Sequence, residues 1–458
     1  MKIIIAGLGE AGVALVRTLS VEGHEITVID KDSALVDSVT DRFSVNGVVG
    51  SGASQETLKK AGTEGADFFI ALTRVDEVNL LCCMQAKNCG AAKTVSRLVM
   101  PDLAGDIEGL KKEYGIDYIV RPGRDIAEEI NRNLGLPGFV KLEGLFGNTV
   151  TIIDINVTKD SCLAGNSLQY IRGNIRKDML ISTVIRNDRL HIPDGKFVIE
   201  AGDILTIAAS GESLDEILST LGIKKDPADK VLMVGCGNTG EYLARRLIRD
   251  GRRVTILDSS LERCRQLMNI FPEADVRCSK GDITEVLEEE GIGKIGTLIS
   301  MTDSDETNLV VSMYAWAKKV PCVITLVDKQ SHVRLLHKVN IDITASPTEL
   351  SVFRILHFIR NSEANSGEDN SGRYYGFYRV ADGMADVMEF GIGSDFHALN
   401  VPISDRAFNI KKGILVSGVI RNGKLIIPTG ATRLEAGDKV LLTVPVTKGI
   451  VSLREAFD

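Results

Sequence analysis

No stretch of this sequence holds the roughly 20 consecutive apolar residues that a bilayer-spanning helix needs. Its longest apolar runs, such as Lys2–Leu8 and Thr297–Met301, are far shorter. The amino end also lacks the extended apolar core and small-residue cleavage site of a secretory signal, because Glu10 closes the first apolar run early. A cytoplasmic chain is the expectation. Its eight cysteines form no C-x-x-C pair and no framework of a small secreted domain, so they read as reduced, mostly buried thiols. Positive charge is also short: the formal net charge is −8, which repels a polyanion unless a local patch overrides it. Arg245, Arg246, Arg249, Arg252 and Arg253 do cluster, but their spacing fits the solvated face of one helix, and no nucleic-acid partner is expected.

Catalytic signatures are missing as well. There is no H-E-x-x-H or G-x-S-x-G, and Gly50-Ser-Gly-Ala-Ser54 is not followed by the Gly-Lys-Ser/Thr of a P-loop. No metal site is expected.

What the chain has is a long internal repeat, within 458 residues that suffice for three or four domains. Gly7-Leu8-Gly9-Glu10-Ala11-Gly12 returns 228 residues later (7 to 235) as Gly235-Cys236-Gly237-Asn238-Thr239-Gly240. Asp30, ending EITVID, returns at the same offset as Asp258, ending RVTILD. Thr73-Arg74-Val75-Asp76-Glu77-Val78-Asn79 returns as Thr302-Asp303-Ser304-Asp305-Glu306-Thr307-Asn308. Further on, the I-R-N-D-R-L-H-I-P run from Ile185 and Glu200-Ala201-Gly202-Asp203 return 235 residues later as I-R-N-G-K-L-I-I-P from Ile420 and Glu435-Ala436-Gly437-Asp438. The order is A–B–A′–B′, with regions 1–135, 139–222, 229–360 and 374–458. Leu134–Gly138 joins A to B, Lys224–Asp229 joins the copies, and the polar, Gly/Ser-rich Asn361–Arg373 joins A′ to B′. None of the six histidines has an equivalent in the other copy.

Within each A region, strand-length apolar runs (KIIIAG, EITVID, FFIAL, KTVSRL and DYIVRP in the first) alternate with helix-length segments. That alternation predicts a parallel sheet with helices on both faces. The glycine motif follows the first strand directly and opens a helix, which lifts it above a chance match. Gly7 then serves the tight turn, Gly9 the close approach of a diphosphate, and Gly12 helix–strand packing. Free amides near Glu10 and Ala11 face the phosphates, aided by the helix dipole. Asp30 and Asp258 suit ribose hydroxyls and repel a 2′-phosphate, favouring NAD(H) or an adenine nucleotide over NADP. Thr73 reads either as a strand-end ligand contact or as a helix N-cap, and both readings are open. Arg97 ends a strand where a cation would meet phosphates, whereas its counterpart is Leu326. The B regions, of alternating apolar pattern with R-N-D-R or R-N-G-K turns, suit small α+β modules. The amphipathic helices after Pro122 and Pro347 are either subunit contacts or ordinary packing within a domain.

Taken together, G-L-G-E-A-G with Asp30, the T-x-x-D-E-x-N segments, Gly281-Asp282-Ile283-Thr284 and the I-R-N…E-A-G-D hairpins resemble the RCK (KTN) domain family. The resemblance covers nearly the whole chain and implies two Rossmann-like doubly wound parallel-sheet domains, each followed by a small α+β domain. It implies NAD(H) or ATP/ADP bound on Gly7–Ala11 and Gly235–Thr239, with ribose contacts at Asp30 and Asp258. Strand-end contacts carry over to Thr73, Arg74 and Arg97, with Thr302 in the corresponding place. The family's G-D-A-T-like segment keeps its acid as Asp282 in the second copy, but stands as Gly52-Ala53-Ser54-Gln55 in the first. The implied partners are further copies of this chain in a ring, a tetramer, beneath a membrane-embedded potassium-translocating subunit of the TrkH/TrkG/KtrB kind. Two rivals remain open: an NAD-dependent oxidoreductase with an unrecognised substrate site, which would turn over substrate, and a nucleotide sensor of another channel or exporter, which would co-purify with a different membrane protein.

Overall fold

The computed structural model describes residues 1–100, 107–136, 140–145, 149–175, 178–223, 229–279, 281, 283–329, 332, 336, 343–364, 372, 374–381, 383–450 and 452–457. Asp282, His337 and most of the three junctions, including 137–139, 224–228 and 365–371, lie outside them.

The first region builds β1 (Lys2–Ala6), α1 (Glu10–Leu19), β2 (Glu25–Asp30), α2 (Ser33–Phe43), β3 (Asn46–Val49), α3 (Gln55–Lys60), β4 (Phe68–Ala71), α4 (Asp76–Asn88), β5 (Lys93–Arg97), α5 (Ile107–Tyr114), β6 (Tyr118–Val120) and α6 (Pro122–Asn133). Its strands form one parallel sheet in the order β3-β2-β1-β4-β5-β6. Ile3, Ile4 and Ile5 are all fully buried, as expected of a strand covered by helices on both faces, which is why its sequence reads as an unbroken apolar run.

A small domain follows with β7 (Val140–Leu145), β8 (Val150–Asn156), α7 (Leu168–Tyr170), β9 (Met179–Arg186), β10 (Arg189–His191), β11 (Ile204–Ser210) and α8 (Leu214–Thr220). Its antiparallel sheet runs β10-β9-β11-β8-β7. Asn187 and Asp188 both adopt left-handed backbone, the geometry of the tight hairpin turn that joins twisted strands. Beneath that turn, Arg186 donates two hydrogen bonds to Asp203 (2.7 and 2.7 Å) and one to Glu200 (2.8 Å). Arg421 repeats the fork on Asp438 (2.8 and 2.8 Å). The recurring I-R-N…E-A-G-D motif is thus an internal clamp: bidentate guanidinium–carboxylate pairs fix orientation as well as charge.

The second half repeats the plan with β12 (Lys230–Val234), α9 (Asn238–Arg249), β13 (Arg253–Asp258), α10 (Leu261–Ile270), β14 (Asp275–Cys278), α11 (Ile283–Glu289), β15 (Thr297–Ser300), α12 (Asp305–Ala317), β16 (Cys322–Leu326), β17 (Ile343–Ala345) and α13 (Pro347–Ala364). These strands form a parallel sheet, β14-β13-β12-β15-β16-β17. The last domain is antiparallel again: β18 (Tyr374–Val380), β19 (Ala385–Gly391), β20 (Leu415–Arg421), β21 (Lys424–Ile426) and β22 (Lys439–Pro445), ordered β18-β19-β22-β20-β21. The chain is therefore α/β, two Rossmann-like parallel sheets each followed by an antiparallel-sheet domain. Among the described residues no helix is long and apolar enough to cross a membrane. Arg245, Arg246 and Arg249 are exposed along α9, where Arg245 pairs with Glu241 and Arg246 with Asp250.

The halves exchange their last helices. Ile126, Ala127 and Ile130 of α6, with Leu134 just after it, lie in the core built on Val231, Met233, Leu243 and Ile256 of the second half. Reciprocally, Ile355, Leu356 and Ile359 of α13 lie in the core of Ile3, Ile5, Leu15 and Phe68 of the first. Arg360 of α13 pairs with Glu22. The two amphipathic helices thus pack across the two halves of the chain, not within one domain. The antiparallel sheets also meet, through Val150, Ile152 and Ile185 against Val387, Ile420 and Leu441.

Ile130 is covalently part of the first half but buried in the second. Ile130→Ala is expected to cost about 2–5 kcal/mol. Hydrogen exchange should then accelerate in β12 and α9 while β1 and α1 keep their protection.

Candidate functional site

Each glycine loop is shaped by the strand end it crosses. Gly7 has φ +100° and an added Cβ there would lie 2.8 Å from the Leu72 carbonyl carbon and the Thr73 nitrogen, so only glycine fits. Gly235 is the same, with φ +84° and Thr302 at 2.7 Å. A Cβ on Gly12 would fall 2.0 Å from the Gly7 carbonyl oxygen. The middle glycines differ in kind. Gly9 and Gly237 have ordinary negative φ (−68° and −70°); a Cβ on Gly9 would meet nothing within 4 Å, and one on Gly237 only Asp303 Oδ1 at 3.8 Å. Neither backbone strain nor packing requires glycine there. The open space lies directly in front of α1 and α9, whose N-caps are these glycines and carry no side-chain cap. Uncapped first-turn amides with the positive end of a helix dipole behind them form an anion cradle.

The strand-end carboxylates are tied to these loops. Asp30 accepts from the Leu8 amide (2.7 Å) and the Asp32 amide (3.0 Å). Asp258 accepts from Cys236 (3.1 Å) and Ser260 (2.9 Å). Each carboxylate has about four acceptor positions, so two remain for hydroxyl donors once the backbone is served. Both acids therefore shape the loops and keep acceptor positions free for a further donor.

Thr73 is not a helix cap: the N-cap of α4 is Val75, which carries no side-chain cap. Instead the Thr73 amide and hydroxyl both donate to Asn79 Oδ1 (2.8 and 2.7 Å), and Asn79 Nδ2 donates to the carbonyls of Thr73 (3.1 Å) and Arg97 (3.0 Å). Asn308 does the same for Thr302 and Leu326. These fully buried asparagines hold two neighbouring strand ends in place. They stood in the repeated T-x-x-D-E-x-N segment, but sequence reasoning gave them no role; recurrence of a buried-type amide at a fixed spacing was the available signal. Asp76, in the first turn of α4, accepts from the amides of Val99 and Met100 (2.8 and 2.7 Å), and Asp305 takes Asp328 and Lys329 likewise.

Arg97 lies half-buried beside this bracket, and its Nε has no hydrogen-bond partner among the described residues. Burial pulls its pKa below the ordinary guanidinium value, while the carboxylates of Asp76 and, from the other half, Asp328 push it back up. Arg74 is exposed in the turn before α4. Gly7, Thr73 and Arg97 are therefore brought together at one sheet edge, with Arg74 at its rim. The second loop has a different brace: Arg263 donates to the carbonyls of Cys236 (2.8 Å) and Gly237 (3.3 Å) and pairs with buried Glu241 (3.0 Å). The aligned positions in the first half, 35 and 13, hold Leu35 and Val13. Asn238 is exposed at the cradle and Thr239 half-buried; a Cβ on Gly123, at the start of α6, would lie 3.4 Å from Thr239 Oγ1. The second loop thus borders on an element of the opposite half.

A separate cavity of about 350 Å³ lies between the antiparallel domains. It is lined mainly by apolar groups in repeat-related pairs such as Leu180 with Leu415 and Pro193 with Pro428, and Arg172 donates across it to the Pro428 carbonyl (2.8 Å).

Because the obstacle at Gly12 is backbone, Gly12→Ala is expected to lower the denaturation midpoint by the equivalent of about 1–3 kcal/mol or more. Gly240→Ala, whose nearest neighbour is the Cys236 side chain at 3.1 Å, should cost less when both are compared by urea unfolding.

Residues 3–122 and 231–347 match the TrkA-N domain, and residues 152–222 and 387–447 match the TrkA-C domain. A protein of Methanosarcina mazei described as Trk system potassium uptake protein TrkA homolog 1 is 28% identical over 451 residues, spanning 96% of this chain and 97% of its own. Among solved structures, the GsuK channel bound to NAD is similar over 97% of this chain and 77% of that one, at 17% identity and a TM-score of 0.61. GsuK bound to ADP is similar over 79% and 69%, at 14% identity and a TM-score of 0.50. The two structures share the fold. With more than half of its length matched by the N-domain alone, the chain belongs to the TrkA family and carries that family's N and C domains twice.

Proposed function

We propose that this chain is a non-enzymatic regulatory subunit of a potassium-uptake system, which binds NAD(H) or ATP/ADP on its two glycine loops and gates a membrane potassium-translocating subunit. The carrying observation is the empty space in front of Gly9 and Gly237, at uncapped helix starts beside Asp30 and Asp258. Glycine there has no structural work, and a diphosphate is the group that would need the room. In this reading the amides of Gly9–Ala11 and Gly237–Thr239 hold the phosphates, Asp30 and Asp258 the ribose hydroxyls, and Arg97 adds a cation in the first half. Thr73, Thr302 and Arg74 flank the first and second strand ends, and Asp282 belongs to the second site by resemblance. The matched relative is named for potassium uptake, and the GsuK structures are described as holding NAD and ADP.

Regulation follows from the exchange of α6 and α13. A nucleotide bridging a loop and elements of the opposite half shifts the angle between halves only by its difference in affinity for the two arrangements. Four domains, 1–135, 139–222, 229–360 and 374–458, are the proposed units, although α13 runs on to Ala364. A ring of copies is supported by the exposed apolar faces of α12 (Val310, Met313, Trp316) and α4 (Leu81), which a lone chain would leave wet.

Three outcomes test this. Gly9→Ala should leave unfolding within about 0.5 kcal/mol of the parent yet weaken ADP or NADH binding at the first site at least tenfold, about 1.4 kcal/mol; an unchanged titration would count against the cradle. Met313→Glu with Trp316→Glu should reduce the assembled mass measured by light scattering. Potassium flux through vesicles carrying the membrane partner should depend on this protein and on the nucleotide supplied; flux indifferent to both would overturn the reading.

A further inference from the structure

Three of the eight cysteines surround the ribose-side carboxylate of the second half. Cys236 sits in the glycine loop, where burial pushes its thiol up to about 12. Cys264 is fully buried on α10 and Cys278 is exposed as the last residue of β14, in register with Asp258. The Cys264 Sγ lies 3.6 Å from the Asp258 carbonyl oxygen and 3.9 Å from that of Arg277; the Cys278 Sγ lies 4.0 Å from the Ser259 carbonyl oxygen. Burial, and after it the neighbouring Cys278 thiol, push the Cys264 thiol up to about 11. Both thiols therefore rest on the same two-residue turn, the one that carries the loop-holding carboxylate.

The repeat supplies an internal comparison. The positions equivalent to Cys264 and Cys278 in the first half are Val36 (264 to 36) and Val49 (278 to 49). Val36 is buried and Val49 exposed, matching the burial of their sulfur counterparts. The fold is thus satisfied by methyl-bearing side chains at both places, and sulfur there is peculiar to the second half.

We propose that Cys264 and Cys278 form a reversible thiol–disulfide switch on the second nucleotide site, with a hydroperoxide as the oxidant. The exposed Cys278 thiolate attacks the peroxide oxygen; the O–O bond breaks, leaving a sulfenic acid and water or an alcohol. The Cys264 sulfur, giving up its proton, attacks the Cys278 sulfur, the S–O bond breaks, and hydroxide takes the proton to leave as water. Two thiols lose two electrons and the peroxide gains them. A thiol reductant reverses the step by exchange. Closing the bond draws the sulfurs to about 2.05 Å, pulls α10 toward the end of β14, and removes the S–H donors from the Asp258 and Ser259 carbonyls. The carboxylate that holds the Cys236 amide moves with that turn. This consequence rests on the nucleotide reading of the second loop, whereas the cross-link itself does not.

The test uses the full chain carrying Gly9→Ala, so that ADP reports on the second site, before and after hydrogen peroxide. Peptide mapping should find a Cys264–Cys278 cross-link, and ADP affinity should fall at least tenfold and recover with dithiothreitol. Cys264→Val with Cys278→Val, the residues of the first half, should bind ADP with or without peroxide; Cys278→Val alone, at an exposed position, serves should the pair fail to fold. A sulfinic or sulfonic Cys278 without a cross-link, a Cys236–Cys264 link in its place, or a cross-link that leaves ADP affinity unchanged would overturn the switch. A reduced protein that maps the cross-link on oxidation but never binds ADP would instead overturn the nucleotide reading of this half, and the switch with it.

Discussion

An α-helix begins with backbone amides that have no partner within the helix, and the function proposed for this chain depends on two helices leaving theirs open to a clear space. At α1 and α9 the cap position is glycine, no side chain satisfies the first turn, and the space in front is clear. Several other helices of the chain are capped by side chains: Asp32 at α2, Ser54 at α3, Ser260 at α10 and Ser304 at α12. The helices α4, α6 and α8 also start without a side-chain cap; what sets α1 and α9 apart is glycine at the cap with clear space before it, which is why the proposed sites are placed there.

Around those open ends, the fold spends its buried polar groups on rigidity. Asn79 and Asn308 lock strand ends together, Asp30 and Asp258 hold the loops by their amides, and Asp76 and Asp305 fasten the segments after β5 and β16. A loop held on several sides loses little conformational entropy when an anion arrives, which is how preorganisation favours binding. The exchanged helices then tie the two halves together. Since α6 completes the second core and α13 the first, neither half can rotate without repacking the other.

Much of this was legible in the sequence because it rests on local patterns. The repeat at an offset of 228, the glycines at the end of an apolar run and the acid ending the next strand each report a backbone requirement that few residues meet. The hairpin turns were legible for the same reason. The helix exchange was not: the apolar face of α6 or α13 looks identical whichever sheet it covers, so periodicity reveals burial without naming the partner. Thr73 was ambiguous because a threonine before an acidic turn suits a cap, and only the position of Asn79 shows where its hydroxyl goes. Arg263 and Glu241 escaped notice because they stand where the first half has Leu35 and Val13; a repeat highlights what is shared and hides what one copy alone acquired. The same blind spot covered Cys264 and Cys278.

Hydrogen exchange with and without saturating NADH or ADP tests the central claim most directly, because it reads the open amides themselves. The account predicts that exchange at Gly9–Ala11 and Gly237–Thr239 slows on nucleotide addition, beyond any change elsewhere in α1 and α9. Unaltered exchange at both loops, with a nucleotide bound somewhere else or not at all, would contradict it.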